Sequence, residues 1–259
     1  MKTLLYTRRD AEEWAAFSGD YNPVHFDERY ARKISLEKTS VHGMRMMLDV
    51  KQRLTTALLN EQPEADFYLC STRLRQPVLC GEPYQLQLAG GPGQAVARLL
   101  NAAQETCVTS KLASAPALEE IKSQRQEQKI AAEQIMAFSR KYPGKAEENA
   151  WVFFDALLFQ LLLQTSDTLA ALPELRATRL NEVFARLPVM QTHHETHFSA
   201  RLFHAGRSLL NEPLFWTCQP TLVTGSKESG YILRTVIQAR TQQPLIATAV
   251  TLKTWAVKQ

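Results

Sequence analysis

The two halves of this 259-residue chain follow the same plan. Residues 11–23 read AEEWAAFSGDYNP and residues 132–143 read AEQIMAFSRKYP, so the two segments align with one gap. In each half a long apolar segment follows, and a Gln-Pro-x-Leu sequence comes later, at residues 76–79 and 219–222. Three similarities in the same order indicate an internal duplication. We therefore predict two structurally related units in one chain.

The first half combines helical and strand-like segments. Residues 10–18 have a helix-forming composition with Asp10 as a candidate N-cap, and residues 42–59 have the apolar spacing of one long amphipathic helix. Between residues 66 and 112, short strand-like segments alternate with the turn-rich sequences CGEP and AGGPGQ. Strands spaced this closely are expected to pair antiparallel. These features predict the α+β class.

The second half repeats this order after a polar connection. Residues 113–131 contain no large apolar cluster, and we interpret them as a linker. Residues 151–163, WVFFDALLFQLLL, predict a buried helix, because the run is too short to span a membrane and Asp155 and Gln160 interrupt it. Residues 168–212 are additional material with mixed helical and strand character. The predicted division of the chain is residues 1–112, 113–131 and 132–259.

The composition of the chain indicates which binding partners and which cellular location to expect. The chain is 45% hydrophobic and 22% charged, as in ordinary globular proteins, and its formal net charge is +4. It has no Lys/Arg block of the kind found in nucleic-acid-binding tails, so we expect no nucleic-acid partner. The four cysteines form no CxxC pair, and the first residues do not resemble a signal peptide. We therefore expect reduced thiols in a cytoplasmic protein.

Residues 17–25 read FSGDYNPVH, with Ala31 six residues later. This stretch resembles the signature of the MaoC-like, (R)-specific enoyl-CoA hydratase family, whose hot-dog fold wraps a curved antiparallel sheet around a long helix. Residues 41–44, VHGM, are similar to the second landmark of that family, and residues 76–84, QPVLCGEPY, are similar to its hairpin. The resemblance covers about residues 10–112.

Residues 132–259 resemble only a degenerate hot dog. The resemblance therefore implies a double hot-dog fold with two long central helices, a catalytic domain at residues 1–112 and a non-catalytic domain at residues 132–259. Such a chain would act as a monomeric pseudodimer or pair into a homodimer.

Asp20 and His25 are the candidate catalytic residues. Dehydration of a 3-hydroxyacyl thioester requires removal of an α-proton, proton delivery to the hydroxyl and stabilisation of enolate charge. A five-residue separation does not place the two side chains on one helical face, but Gly19 and Asn22-Pro23 predict a chain reversal between them. The resemblance implies that they share the acid/base work. The residues alone leave open which is the base, and Asn22 is expected to support the loop or a ligand.

Gly43 lies near the predicted start of the helix over residues 42–59. A helix N-terminus offers unpaired N–H groups and positive potential, and the resemblance implies that the Gly43 backbone N–H is the oxyanion donor. We expect His42 to be a capping or packing residue. The resemblance implies no metal and no redox cofactor.

Other polar residues raise two alternatives, a metal site and a thioesterase active site. His193, Glu195 and His197 would share one face of a strand, but they lack the HExxH order of a metal site, so a polar surface strand is expected. Asp49 and Asp155 lie within the two predicted long helices, where hot-dog thioesterases often place a catalytic carboxylate. A thioesterase therefore remains an alternative.

The second half lacks the candidate catalytic residues. Arg140 and Lys141 align with Gly19 and Asp20, and Lys145 falls at His25. We therefore predict one active site per chain, with the second half completing the acyl tunnel but transferring no proton.

The sequence as a whole favours a hydro-lyase that interconverts (R)-3-hydroxyacyl and trans-2-enoyl thioesters. The substrate carrier would be coenzyme A or acyl carrier protein, and dehydration in fatty-acid or polyketide-type lipid synthesis is the preferred direction. The alternatives are the thioesterase and a non-catalytic acyl-binding protein.

Overall fold

The computed structural model describes residues 2–61, 64–120, 126–165, 179–204, 206–226 and 228–255. Within these residues the chain forms eleven strands, eight α-helices and one short 3-10 helix. The additional stretch at residues 168–212 lies partly outside the described residues, and its described part holds three short helices and one long strand.

The strands are β1 (Lys2–Leu5), β2 (Phe67–Leu74), β3 (Pro83–Gly91), β4 (Gln94–Leu100), β5 (Thr106–Ala115), β6 (Gln128–Ile130), β7 (Val189–Ser199), β8 (Leu214–Cys218), β9 (Leu222–Ser226), β10 (Gly230–Arg240) and β11 (Pro244–Thr254). The helices are α1 (Arg8–Ser18), α2 (Glu28–Lys33), α3 (Gly43–Leu59), α4 (Ala132–Lys141), α5 (Ala150–Gln164), α6 (Leu180–Arg186), α7 (Arg201–His204) and α8 (Gly206–Leu209).

All eleven strands belong to one antiparallel sheet that is continuous across both halves of the chain. Its order is β1-β3-β4-β5-β2-β7-β11-β10-β8-β6, and β9 adds to β10 beside β8. The halves join where β2 pairs with β7, from Phe67 opposite Ser199 to Arg73 opposite His193. Read outward from this join, β2-β5-β4-β3-β1 and β7-β11-β10-β8-β6 occupy equivalent positions. This symmetry confirms the duplicated plan and the α+β class.

Two long helices pack against the sheet, one in each half. Helix α3 contacts β3, β4 and β5, and helix α5 contacts β10 and β11. Helix α3 buries one apolar face, whereas nearly every residue of α5 is buried, which explains why its sequence is apolar all round. The buried helix predicted at residues 151–163 is therefore confirmed. None of the described helices is both long and apolar enough to cross a membrane.

The first helix begins slightly earlier than predicted. Thr7 is the N-cap of α1, and Asp10 is the third helical residue, so the assignment of Asp10 as N-cap is wrong. The backbone N–H of Thr7 donates to Asp10 Oδ2 at 2.8 Å. Asp10 therefore stabilises the helix start from inside the first turn.

The two halves share one hydrophobic core. The rings of Trp14 and Phe159 lie 6.2 Å apart, and those of Phe17 and Tyr142 lie 5.4 Å apart. The Trp151 indole N–H donates to Thr55 Oγ1 at 2.8 Å. These contacts bring α5 against α1 and α3, so residues of both halves can line the same cavity.

The predicted linker at residues 113–131 contains the end of β5 and all of β6, which pairs with β8. The sheet and the hydrophobic core are continuous across the predicted boundary. The division into two domains and a linker stays a prediction.

Candidate active site

The loop after α1 is built from local hydrogen bonds. Helix α1 ends at Ser18, and Gly19 adopts a left-handed conformation with φ of 77°, which glycine tolerates without strain. The Asn22 N–H donates to Asp20 Oδ1 at 3.1 Å, and the Val24 N–H donates to Asn22 Oδ1 at 3.2 Å. These two successive turns reverse the chain as the sequence predicts.

This reversal brings the two predicted acid/base residues together. One polar atom each of Asp20, His25 and His42 lies within 4.8 Å of the other two. The three residues are only 6%, 9% and 2% exposed. Asn22 is also buried, and its contacts hold the loop, which is one of the two functions expected for it.

His25 presents a free ring nitrogen. Its Nδ1 lies 2.8 Å from the backbone oxygen of Ser40. Because a carbonyl oxygen only accepts, Nδ1 carries the proton and donates, which leaves a lone pair on Nε2. Burial lowers the pKa of His25 to about 4, against the smaller effect of the Ser40 carbonyl. The imidazole is therefore neutral at neutral pH, with Nε2 available as a base.

Asp20 has the opposite tendency. Burial raises the pKa of the Asp20 carboxyl to about 7, and the hydrogen bond from the Asn22 N–H offsets only part of this rise. A substantial fraction of the carboxyl is therefore protonated at neutral pH and able to donate a proton. The site pairs a carboxylic acid with a neutral imidazole.

His42 ties the loop to the start of α3. Its Nε2–H donates to the backbone oxygen of Asp20 at 2.9 Å, and its side chain makes no capping bond to the helix. Its ring stacks on that of His25, with the centroids 3.6 Å apart and the planes at 28°. Burial, and then the neighbouring His25, lower the pKa of His42. His42 is the N-cap residue of α3, where its backbone oxygen accepts from the Met46 N–H, and its ring contacts also fit the packing role expected for it.

The three residues are close enough together to suggest a metal site. The geometry of the rings argues against it. An imidazole binds a metal in its ring plane, and two stacked rings direct their lone pairs side by side instead of towards one point. We therefore assign no metal to this cluster.

His193, Glu195 and His197 lie on one face of β7, which is the polar surface face predicted from the sequence. His193 is exposed, Glu195 pairs with Arg234 at 2.9 Å, and His197 Nε2–H donates to the Pro116 backbone oxygen at 2.9 Å. Glu195 is thus engaged through Oε2 and His197 through Nε2. His194 points the other way, into the core.

Gly43 is the first residue of α3, beside the cluster. No residue in the described ranges accepts a hydrogen bond from its N–H. A Cβ at this position would lie 2.7 Å from Leu74 Cδ2 and 3.3 Å from Gln191 Oε1. Only a residue without a side chain fits the space as it stands, and its N–H lies at the positive end of the helix dipole.

A cleft of about 880 Å³, including its opening to solvent, contains these groups. Asp20, His25 and Gly43 of the first half line it, and Gln191 of the second half adds another polar group. The second half contributes six apolar side chains, Phe159, Phe184, Val189, Met190, Leu252 and Trp255. The cleft is therefore shared between the halves, and most of its lining residues are apolar.

Known proteins resemble this chain in sequence and in fold. Residues 1–106, less than half of the chain, match the family described as "MaoC like domain". A 3-hydroxyacyl-[acyl-carrier-protein] dehydratase from Arabidopsis thaliana mitochondria is 33% identical over 81 residues, which are 31% of this chain and 46% of that protein. The match thus spans less than half of the length of that relative.

Two solved structures extend the likeness to the whole chain. A conserved protein of Mycobacterium tuberculosis with a double hotdog fold has a TM-score of 0.53 and 10% identity, covering 98% of this chain and 94% of that one. A MaoC domain dehydratase from Chloroflexus aurantiacus has a TM-score of 0.50 and 9% identity, covering 99% and 94%. At these identities the likeness concerns the fold, and it confirms the predicted double hot dog.

The two helix carboxylates considered for a thioesterase lie outside the cleft that contains Asp20 and His25. Asp49 pairs with Arg45 at 2.8 Å. Asp155 is completely buried between the halves, where it pairs with Lys51 and accepts hydrogen bonds from Thr196, Thr248 and His194. Burial by itself raises the pKa of the Asp155 carboxyl, but these partners hold that pKa well below its usual range.

Sequence reasoning missed Lys51, His194 and Gln191. Asp155 is the one charged residue of the apolar helix α5, which indicates that it needs a buried partner, but Lys51 is one of several charged residues of α3 and does not stand out in the sequence. Nothing in the sequence indicated that Gln191 of the second half lies in the cleft with Asp20 and His25.

Proposed function

We propose that this protein is a hydro-lyase that interconverts (R)-3-hydroxyacyl and trans-2-enoyl thioesters. The observation that carries the proposal is the pairing, in one buried cluster, of a carboxyl with a raised pKa and an imidazole with a free Nε2. The unpaired Gly43 N–H beside them supplies the third group that this chemistry needs.

In the dehydration direction, the thioester oxygen accepts a hydrogen bond from the Gly43 N–H. His25 Nε2 removes the proton from the α-carbon, and the electron pair of that C–H bond forms the enolate. As the double bond forms, the bond from the β-carbon to oxygen breaks and the Asp20 carboxyl protonates the departing hydroxyl. The products are the enoyl thioester and water.

Hydration follows the same path in reverse. The Asp20 carboxylate then takes a proton from the attacking water, and the His25 imidazolium delivers its proton to the α-carbon. The assignment of His25 as base in dehydration rests on its hydrogen bond to Ser40, which leaves only Nε2 free to accept a proton.

The carrier and the direction belong to the same proposal. The similarity to a 3-hydroxyacyl-[acyl-carrier-protein] dehydratase supports a carrier-protein substrate and biosynthetic dehydration, and coenzyme A remains the other candidate. None of the four cysteines, all of which lie in the described residues, forms a disulfide. A cytoplasmic location is part of the proposal. We propose one active site per chain, in either a monomeric pseudodimer or a homodimer.

Turnover of matched substrates tests the proposal. Hydration of crotonyl-CoA is followed as loss of the enoyl absorbance, alongside (R)- and (S)-3-hydroxyacyl substrates linked to coenzyme A or carrier protein. Wild-type protein should act on the (R) series and lose at least about a hundredfold in Asp20→Asn and His25→Ala, the usual range for a general acid or base. Lys141→Ala and Lys145→Ala are the matched controls, because both lysines are exposed at the aligned positions.

The alternatives give different signals in the same assay. A thioesterase releases a free thiol, whereas a hydro-lyase leaves the thioester bond intact. A non-catalytic acyl-binding protein turns over neither class of substrate, and that result would remove the proposal.

A further inference from the structure

Gln191 brings an amide of the second half into the cleft. It lies in β7, and its Oε1 is 3.3 Å from where a Cβ of Gly43 would stand. Among the described residues no donor reaches this oxygen, because the amide makes its contacts through its nitrogen, to His194 Nδ1 and Met44 Sδ. A polar oxygen thus stands beside the proposed oxyanion donor.

The orientation of this amide is set by its hydrogen bond to His194. Gln191 Nε2 lies 2.9 Å from His194 Nδ1, and His194 Nε2 lies 2.8 Å from Asp155 Oδ1. Because the Asp155 carboxylate accepts, His194 Nε2 carries the proton, and Nδ1 of the neutral ring can only accept. Gln191 must therefore donate through its nitrogen, which leaves its oxygen directed elsewhere.

His194 stays neutral because of its surroundings. Burial lowers its pKa, and nearby Lys51 lowers it further, against the effect of Asp155. The three residues are completely buried, so the hydrogen-bond chain from Lys51 through Asp155 and His194 to Gln191 is shielded from water. We regard these three as positioning residues that act through Gln191.

We propose that Gln191 Oε1 accepts a hydrogen bond from the first amide N–H of the pantetheine arm that carries the acyl thioester. This inference rests on the proposed function, since it places the thioester oxygen at the Gly43 N–H. Two carbons separate the thioester sulfur from that amide nitrogen, so the N–H follows the reacting carbonyl closely along the substrate. Coenzyme A and acyl carrier protein share this group, and both would be recognised in the same way.

Two small thioesters that differ at one atom test the inference. Crotonyl N-acetylcysteamine has the amide N–H, and crotonyl S-(2-acetoxyethyl) thioester has an ester oxygen in its place. The wild-type enzyme should hydrate the amide with a kcat/KM about tenfold higher, the value of one hydrogen bond. In Gln191→Leu the ratio of the two kcat/KM values should fall to about one, through loss of activity on the amide substrate alone.

Gln76→Leu is the matched control for the ratio. Gln76 also lines the cleft, but its amide is engaged with Glu105 and Asn101, so the variant should keep the wild-type ratio. Equal kcat/KM values of the wild-type enzyme for the two thioesters would overturn the role of Gln191, and this test does not depend on a variant that folds. An unchanged ratio in Gln191→Leu would overturn it as well. Absence of turnover of either thioester and of crotonyl-CoA would instead contradict the proposed function.

Discussion

The imidazole rings of His25 and His42 stack with their centroids 3.6 Å apart in a buried site. Two positive charges at this distance repel each other, so protonation of one ring opposes protonation of the other. His42 donates through Nε2 to the Asp20 backbone and stays neutral, with a lowered pKa. The stack therefore favours a neutral His42 beside the proposed acid/base pair.

The first prediction concerns the dependence of activity on pH. Dehydration needs a protonated Asp20 carboxyl and a neutral His25 imidazole. Hydration needs an ionised Asp20 and a protonated His25, and this pair holds the same single proton. Because the pKa of His25 is lowered to about 4 and that of Asp20 is raised to about 7, kcat/KM in both directions should be highest between about pH 4 and 7. Steady-state rates across that range check this. Activity that continues to rise above pH 8 would contradict it.

The second prediction concerns stability. The folded pKa of Asp20 lies above its unfolded value, so the folded state binds the proton more tightly between about pH 4 and 7, and stability falls as pH rises through that window. Asp20→Asn removes this cost. The variant should therefore gain stability over the wild type with rising pH, by up to about 4 kcal/mol above pH 7.

Urea denaturation of both proteins at pH 4 and pH 8 measures this difference. The comparison with the variant is needed because His25, whose folded pKa is lowered, adds stability as pH rises over much of the same window. A stability difference that does not change between the two pH values would show that the Asp20 carboxyl ionises as easily in the folded protein as in water.

The third prediction separates the N–H of Gly43 from its lack of a side chain. Gly43→Ala adds a Cβ close to Leu74, whereas Gly43→Pro adds a Cβ and also removes the N–H. Proline is tolerated at the first helical residue, and the preceding His42 has ψ of 136°, as proline requires. If the N–H stabilises the enolate, kcat of the Pro variant should be about a hundredfold or more below that of the Ala variant. Equal kcat values would remove Gly43 as the donor.

The fourth prediction concerns the buried ion pair of Lys51 and Asp155. Asp155→Ala leaves the Lys51 charge buried without its counter-ion, so the free energy of unfolding should fall by about 3–5 kcal/mol. Glu12→Ala, which breaks an exposed pair with Arg8, should change it by less than about 1 kcal/mol. Denaturation at neutral pH checks both, and similar losses in the two variants would contradict the prediction.

Local features of the site could be predicted from the sequence. Gly19, Asn22 and Pro23 set the turn through contacts with residues no more than four positions away. The residue types that form the turn are therefore enough to predict it. The apolar pattern of residues 42–59 predicts α3 for the same reason, since a helix depends on neighbours three and four positions apart.

Other features depend on contacts between distant residues. The Ser40 carbonyl that leaves His25 Nε2 free is fifteen positions away, and Gln191 reaches the cleft only because β7 pairs with β2 at the join of the sheet. The pairing of Lys51 with Asp155 spans 104 positions. No periodicity in the sequence encodes such pairs.

The sequence by itself determined the duplicated plan, the turn FSGDYNPVH and the candidate pair Asp20 and His25, because these follow from residue types at short spacings. The tertiary structure decided which protonation state each residue adopts. The folded chain buries the site, and burial raises the pKa of Asp20 while it lowers that of His25. Exclusion of water is a property of the assembled core, so the chemistry of the pair could be assigned only after the fold was known.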